Sequence, residues 1–459
     1  MKITIISDKE YYKDTLAFAK ELQKKNVNTS VIMPLYEGRY RGFGNELTRL
    51  GRYTVDLPFG PIKLSLYATV KDSVQCFFIS APNDFDTTEA KNDYYKARSI
   101  SIFCHGALEV LEYTKIIPDY IFSDSPRTAL IPALMMYKYR CRENYSQIRT
   151  MHYISKPDRE QYSKSFISTV FGIDTNNSHV FLESEKVNLT RSAIICATQI
   201  FVGENAVSIL YDRNSILHHS AIQFGFKIRK LRMGIDYNEF SPENDNCLMK
   251  NYSADDLRNR KYNKRALQKY YGFKTDESIP LIAIYPQNSK EIITRITNDM
   301  MRNDIQLIIL DTNNKMRDYV NKSTLRNTAT FESREDIRIY KNIFSGADMA
   351  IFGGYDYKYG NPMYISSSYG CVPMTATNKY FDLGVTYFDK LTLDGNAFTY
   401  DPLVAGDFLY TLWDALSIYK HSRVSFEKLI TNCMKKDFSI EYAVESVINE
   451  TKKSPYFKY

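Results

Sequence analysis

Lys230 to Phe273 reads KLRMGIDYNEFSPENDNCLMKNYSADDLRNRKYNKRALQKYYGF, and the organisation of the chain is decided here. Met233-Gly234-Ile235-Asp236 is a glycine turn after an apolar run, and the proline- and asparagine-rich segment after it has neither a strand nor a helix period. Helices are expected next. Ser253 with Asp256 makes a capping box, and Asn263 stands as the cap of a second helix carrying Ala266, Leu267, Tyr270 and Tyr271, which Gly272 ends. On periodicity alone the stretch is a connector between domains.

The flanking patterns agree with that. Lys2 to Ser7 has a buried-strand pattern, Thr15 to Lys24 has helix spacing at Leu16, Phe18, Ala19 and Leu22, and Thr29 to Met33 is a second strand. This is a βαβ opening of Rossmann type. Beyond the connector, Pro280 to Tyr285 and Gln306 to Leu310 begin a second α/β set. A chain of 459 residues with 44% hydrophobic content exceeds one core and can fill two.

A net charge of +7 from 60 basic and 53 acidic residues is small for this length and does not point to nucleic acid. Seven cysteines, odd in number and never spaced as CxxC, disfavour a disulfide framework or a structural zinc. No apolar run approaches the length of a membrane span, so a soluble, cytoplasmic protein is expected, with no membrane partner. The 37 tyrosines are spread along the chain. Aromatic rings can stack on sugars, but that even spread reads as a compositional bias.

The wording of the connector resembles the bacterial glycogen and plant starch synthases, ADP-glucose-type glycosyltransferases. Their linker runs NGID-Y-x-x-W-x-P, then Y-S-x-x-D-L, then N-K-x-x-L-Q-x-x-x-G-L. Here these become Gly234-Ile235-Asp236-Tyr237, Phe240 and Pro242, then Tyr252-Ser253 with Asp256-Leu257, then Asn263-Lys264, Leu267-Gln268 and Gly272-Phe273. Further phrases agree: Ala81-Pro82 with Phe85-Asp86, Gly106-Ala107-Leu108-Glu109, Ser345-Gly346-Ala347-Asp348, Tyr369-Gly370-Cys371-Val372-Pro373 and Asp437-Phe438-Ser439. The resemblance implies a GT-B fold, two Rossmann-like domains facing across a cleft that holds a nucleotide sugar. Its expected divisions are an N-terminal, acceptor-side domain over 1–225, a nucleotide-sugar-side domain over 226–430, and a C-terminal helix over 431–459 that returns to the N-terminal domain.

The departures from the family pattern concentrate on chemistry. The K-T-G-G-L loop has no counterpart, since Ser7 leads through Asp8-Lys9 into the helix, and Lys9 reads as a solvated loop lysine. The H-D-W-x-T-x-L stretch becomes Asp124-Ser125-Pro126-Arg127-Thr128-Ala129-Leu130, keeping the threonine and leucine and losing the histidine and tryptophan. His152 matches the T-I-H histidine that faces the sugar, in Arg149-Thr150-Met151-His152. In the second domain the resemblance sets Gln287 at the pyrophosphate arginine and Lys290 near the lysine, where charge compensation assists departure of a diphosphate. Tyr357 stands at the position of the F-E-P-C-G-L glutamate, with Asp356 one residue away and Tyr359, Gly360 and Asn361 following. The candidate catalytic residues are therefore His152 and Asp356, and the candidate substrate- or nucleotide-binding residues are Lys290, Gln287, Gly360, Tyr359 and Asn361.

Losing one charged transition-state contact costs about 3 kcal/mol, so several losses would suppress glucosyl transfer by orders of magnitude. The expectation is a synthase-like pseudoenzyme, a non-catalytic or regulatory relative in α-glucan metabolism. No cofactor or metal is expected; an ADP-glucose-like nucleotide sugar is the possible ligand, and an α-glucan, an oligosaccharide, an active synthase or another protein the possible partner. Two alternatives stand beside it: an active retaining glycosyltransferase with altered donor or acceptor, using His152, Lys290 and Asp356, and a structural interaction protein.

Overall fold

A computed structural model describes residues 1–9, 12–36, 46–85, 92–157, 161–183, 185–285, 305–310, 329–334, 336–352 and 361–453. The chain packs as two units, Met1–Met233 with Ala443–Tyr459, and Gly234–Tyr442.

The strands of the first unit, in chain order, are β1 Lys2–Ile6, β2 Asn28–Pro34, β3 Thr48–Leu57, β4 Gly60–Lys71, β5 Val74–Ser80, β6 Tyr120–Ser123, β7 Arg149–Ile154, β8 Tyr162–Ser163, β9 Leu182–Glu183, β10 Lys186–Val187, β11 Gln199–Val202 and β12 Ile228–Lys230. The main sheet has the order β12-β11-β7-β6-β1-β2-β5-β4-β3, and β8-β10-β9 form a small separate sheet. From β12 to β5 the pairs are parallel, and their apolar residues are covered on both faces, as parallel sheets require. The βαβ opening is present, with Leu16, Phe18, Ala19 and Leu22 of the helix Tyr12–Lys24 buried against it.

Two further elements complete this unit. β3 and β4 form an antiparallel hairpin on the β5 edge, turning at Pro58 and Phe59 between the paired Leu57 and Gly60. The apolar sequence from Ile194 to Val202 has a strand-like pattern, yet only Gln199–Val202 is strand, because Asn188 caps the helix Leu189–Cys196 through an N–H of Arg191 at 2.9 Å. The C-terminal helix Glu441–Lys453 sits on the first unit through Lys25–Glu445 (2.9 Å), Arg229–Glu450 (3.2 Å) and the Tyr120 hydroxyl, which donates to the Thr451 carbonyl (3.2 Å).

The second unit has β13 Leu281–Tyr285, β14 Gln306–Leu310, β15 Ala329–Glu332, β16 Met349–Phe352, β17 Val372–Ala376 and β18 Phe398–Tyr400, all parallel in the order β15-β14-β13-β16-β17-β18. Ile284, Ile309, Ile351 and Met374 of the sheet pack with Leu412, Phe426 and Leu429 of the helices Asp407–His421 and Arg423–Lys435 in one core.

The phrases that made the sequence recognisable are fixtures of this unit. Ile235 N–H donates to Phe438 C=O (2.8 Å), Ile440 N–H donates to Ile235 C=O (3.0 Å), and the Tyr237 hydroxyl donates to Lys436 C=O (3.0 Å). Thus Gly-Ile-Asp-Tyr and Asp-Phe-Ser are two halves of one clasp. Gly234 sits at φ +71° with the Ser439 backbone where a Cβ would be.

The helix expected after Ser253 is not formed there. Ser253 and Asp256 close only a turn, and the helix runs Arg260–Tyr270. Asn263 lies inside it rather than capping it, because its side-chain amide is held by both the N–H and the C=O of Lys250 (3.1 and 2.7 Å).

Beside it, Lys264 is buried, with Nζ donating to Asp348 Oδ2 (2.7 Å), the carbonyls of Glu277 and Ile279 (2.9 and 2.7 Å) and the Tyr419 hydroxyl (2.6 Å). Asp348 also accepts the Leu281 N–H at 2.8 Å. Removing one member of such a pair strands the other charge in the interior. Asp348→Ala is expected to cost about 3–5 kcal/mol in urea unfolding followed by circular dichroism. Gly234→Ala should lower the same transition by more than about 1 kcal/mol, since both its φ and its space exclude a side chain.

Candidate functional site

In the first unit β1 has β2 on one side and β6 on the other, so the connections reverse direction between β1 and β6. In open parallel sheets such a switch point opens a crevice at the carboxyl ends of the strands, where ligands bind. Among the described residues just beyond those ends are Asp8 and Lys9 after β1, Asp124 after β6, Lys156 after β7, and Gly203 and Glu204 after β11.

Asp8, Lys9 and Asp124 are paired across the chain. Lys9 Nζ lies 3.0 Å from Asp124 Oδ2, and Arg127 Nη1 lies 3.0 Å from Asp8 Oδ2. Both carboxylates are buried, with side chains 3% and 2% exposed. Tyr36 donates its hydroxyl to Asp8 and accepts from Arg127 Nη1 (2.6 Å), while Arg127 Nη2 reaches Ser99 Oγ (2.6 Å). Lys9 therefore is not a solvated loop lysine, because a buried carboxylate holds it. It also lies 5.7 Å from the centre of the Tyr153 ring. Burial, then the charges of Glu204 and Asp124, push the Tyr153 hydroxyl well above its ordinary range. Gly203 leaves room for that hydroxyl, which a Cβ would strike.

Sequence at this edge is shaped by local caps as well. Ser125 and Thr128 form a reciprocal capping box, with Ser125 N–H donating to Thr128 Oγ1 (3.0 Å) and Thr128 N–H to Ser125 Oγ (3.3 Å), and Pro126 occupies the first turn. Thr128 and Leu130, both buried, are thus scaffold residues that set where Asp124 and Arg127 stand.

His152 lies in β7, paired in register with Ser123 of β6. It is 1% exposed, and its Nδ1 is 2.8 Å from Ser123 Oγ. Burial lowers its pKa to about 3, so the ring is neutral at physiological pH. Asn361 caps the helix Pro362–Ser368 through its Oδ1, which accepts the Met363 N–H at 3.0 Å, and is 7% exposed. Gln287, Lys290, Asp356, Tyr357, Tyr359 and Gly360 lie outside the described residues. The Lys9–Asp124 and Asp8–Arg127 pairs were not foreseen as pairs, and only the sheet order brings them together.

Two Rossmann-like units of this kind define the fold as GT-B, the architecture of a large class of glycosyltransferases. Residues 15–211 match the starch synthase catalytic domain family. The chain is 24% identical to a glycogen synthase of Clostridium botulinum (strain Alaska E43 / Type E3), over 96% of this chain and 95% of that protein. It is 23% identical to a glycogen synthase of Clostridioides difficile (strain 630), over 94% and 93%. Among solved structures, the catalytic domain of starch synthase IV from Arabidopsis thaliana, bound to ADP and acarbose, superposes with a TM-score of 0.86 at 19% identity, over 99% of both chains. Sucrose-phosphate synthase from Thermosynechococcus elongatus gives 0.58 at 11% identity, over 99% of this chain and 98% of that one. Over most of its length the chain is thus similar to the glycogen synthases, and its fold to that of a starch synthase.

The neutral His152 has a pH consequence. Below about pH 6.5 the unfolded chain takes up a proton on this ring that the folded chain does not, so stability falls with falling pH until about pH 3. His105 behaves alike, lowered to about 3 by burial, with Nδ1 3.0 Å from the Tyr139 hydroxyl and Nε2 3.0 Å from the Phe171 carbonyl. Urea unfolding from pH 7 to 4.5 should show this loss. His152→Gln should flatten the slope by up to about 1.4 kcal/mol per pH unit, and in NMR the His152 ring should not titrate above pH 5.

Proposed function

We propose that this protein is a non-catalytic or regulatory relative of the glycogen synthases, acting in α-glucan metabolism without ordinary synthase activity. The observation that carries the reading is the pairing at the switch point of the first unit. Two cations there, Lys9 and Arg127, are held 3.0 Å from buried carboxylates, so each is neutralised toward any incoming phosphate or sugar. His152, the one candidate catalytic residue described, is buried and neutral against Ser123. The sequence adds Gln287 and Tyr357 at positions where the family resemblance sets an arginine and a glutamate. A diphosphate departs only where its developing charge is met, and an uncharged glutamine does not meet it. An α-glucan, a nucleotide or an active synthase is what such a protein would bind.

One atom favours the second reading, an active transferase using His152, Lys290 and Asp356. Asp124 Oδ1 is buried without a hydrogen-bond partner among the described residues, and a donor hydroxyl would satisfy it.

The deciding experiment is transfer of labelled glucose from ADP-glucose and from UDP-glucose to glycogen and to a malto-oligosaccharide, with a glycogen synthase alongside. Incorporation at least about a thousandfold below the control is expected, the effect of one or more lost oxyanion-type contacts. Incorporation within tenfold of the control from either donor would overturn the proposal.

A further inference from the structure

The helix Asp407–His421 buries Phe408, Leu412, Ala415 and Leu416 in the core of the second unit. Its outer face, expected to be polar, carries Tyr410 at 71% and Trp413 at 43% exposure, three residues apart and hence side by side. Trp413 is the single tryptophan of the chain. The loop leading into the helix also exposes Leu403 and Val404, at 82% and 54%. Large exposed aromatics gathered on one face mark a contact surface.

The chemistry beside the rings selects the partner. Asp414 follows Trp413 directly and stands one turn beyond Tyr410. The Tyr387 hydroxyl donates to its Oδ2 (2.7 Å), and Lys390 Nζ lies 3.8 Å from its Oδ1. Tyr387 is within electrostatic reach of Tyr410 and Asp407 as well. A protein interface is depleted of charge at its centre, and burying Asp414 under an apolar partner would cost its hydration. A sugar chain suits both features, because its apolar ring faces stack on aromatics while its hydroxyls donate to carboxylates. Side chains three apart on a helix have Cβ atoms about 5–6 Å apart, close to the width of one hexose ring.

We propose that Tyr410 and Trp413 form a surface platform for an α-1,4-glucan chain, with Asp414 accepting hydrogen bonds from its hydroxyls. The choice of an α-glucan among sugars rests on the function proposed above. The platform uses no residue of the candidate site.

Because Trp413 is the only tryptophan, its fluorescence reports the site directly. Titration of the full chain with maltoheptaose should shift and quench the emission saturably, and cellohexaose should do so at least about tenfold more weakly. Tyr410→Ala should weaken the apparent maltoheptaose affinity about tenfold, the effect of one lost stacking contact. Trp413→Phe should shorten retention in native gels containing glycogen, with unchanged far-UV circular dichroism in both variants. The platform is overturned by an emission that ignores maltoheptaose, by an unaltered titration in Tyr410→Ala, or by an emission that depends on protein concentration without sugar, which would mean a second copy covers the face. Glycogen retention kept by both variants would place glucan binding elsewhere, overturning the platform while leaving the function reading intact. Synthase activity in the transfer assay would do the reverse.

Discussion

The Lys264 ammonium in the second unit has four oxygen partners, one of them the Asp348 carboxylate, which in turn accepts the first N–H of β13. Two buried ions are expensive to remove from water, and the expense is offset only where nearly every donor and acceptor is matched. That requirement fixes four elements at once: the helix Arg260–Tyr270, the start of β13, the start of β16 and, through Tyr419, the helix Asp407–His421. Arg260 shares the same carboxylate at 3.7 Å and donates to the Ala347 carbonyl, so it too is tied to the chain entering β16. Gly346 completes the join, since a Cβ there would press on Leu267 and the Asn263 carbonyl.

This explains why the fold was legible. Asn-Lys with Leu-Gln on one side and Ser-Gly-Ala-Asp on the other are the two faces of that join, and Gln268 extends it by donating to Gln306 Oε1 (2.8 Å) and the Asp276 carbonyl (2.7 Å). Tyr252 donates to the Tyr369 carbonyl (2.7 Å), linking a third recognised phrase to a fourth. Residues with so many directional partners tolerate few replacements, so their order in the sequence is distinctive. Elements held by backbone pairing rather than by side-chain partners left weaker traces. The β3–β4 hairpin has exposed polar residues along most of β3, and its pairing is set by a short turn rather than by a hydrophobic run. The capping reading at Ser253 and Asn263 failed because a side chain that can cap a helix can equally bind a passing loop, and Lys250 supplied that loop.

The candidate site was much less legible. Asp8 meets Arg127, and Lys9 meets Asp124, across more than a hundred residues, and only the order β6-β1-β2 makes them neighbours. No local spacing announces such a pair. His152 was singled out by its place near a strand end, but whether a histidine there is offered to a ligand or folded inward depends on what covers it. Here Ser123, its register partner in β6, takes Nδ1, and the ring is almost wholly enclosed. Asn361 likewise serves its own helix.

The residues that fix the fold and those of the candidate site are thus different residues. In the second unit the Lys264–Asp348 join lies at the amino ends of β13 and β16, whereas Asn361 and its helix follow the carboxyl end of β16. In the first unit the paired charges sit beyond the carboxyl ends of β1 and β6. Replacing groups at the carboxyl edge leaves the amino-edge join, the clasp at Gly234 and the cores untouched. The cost of a replacement at that edge of the first unit depends on the pair it touches, because losing Lys9 or Arg127 would leave Asp124 or Asp8 buried without its cation.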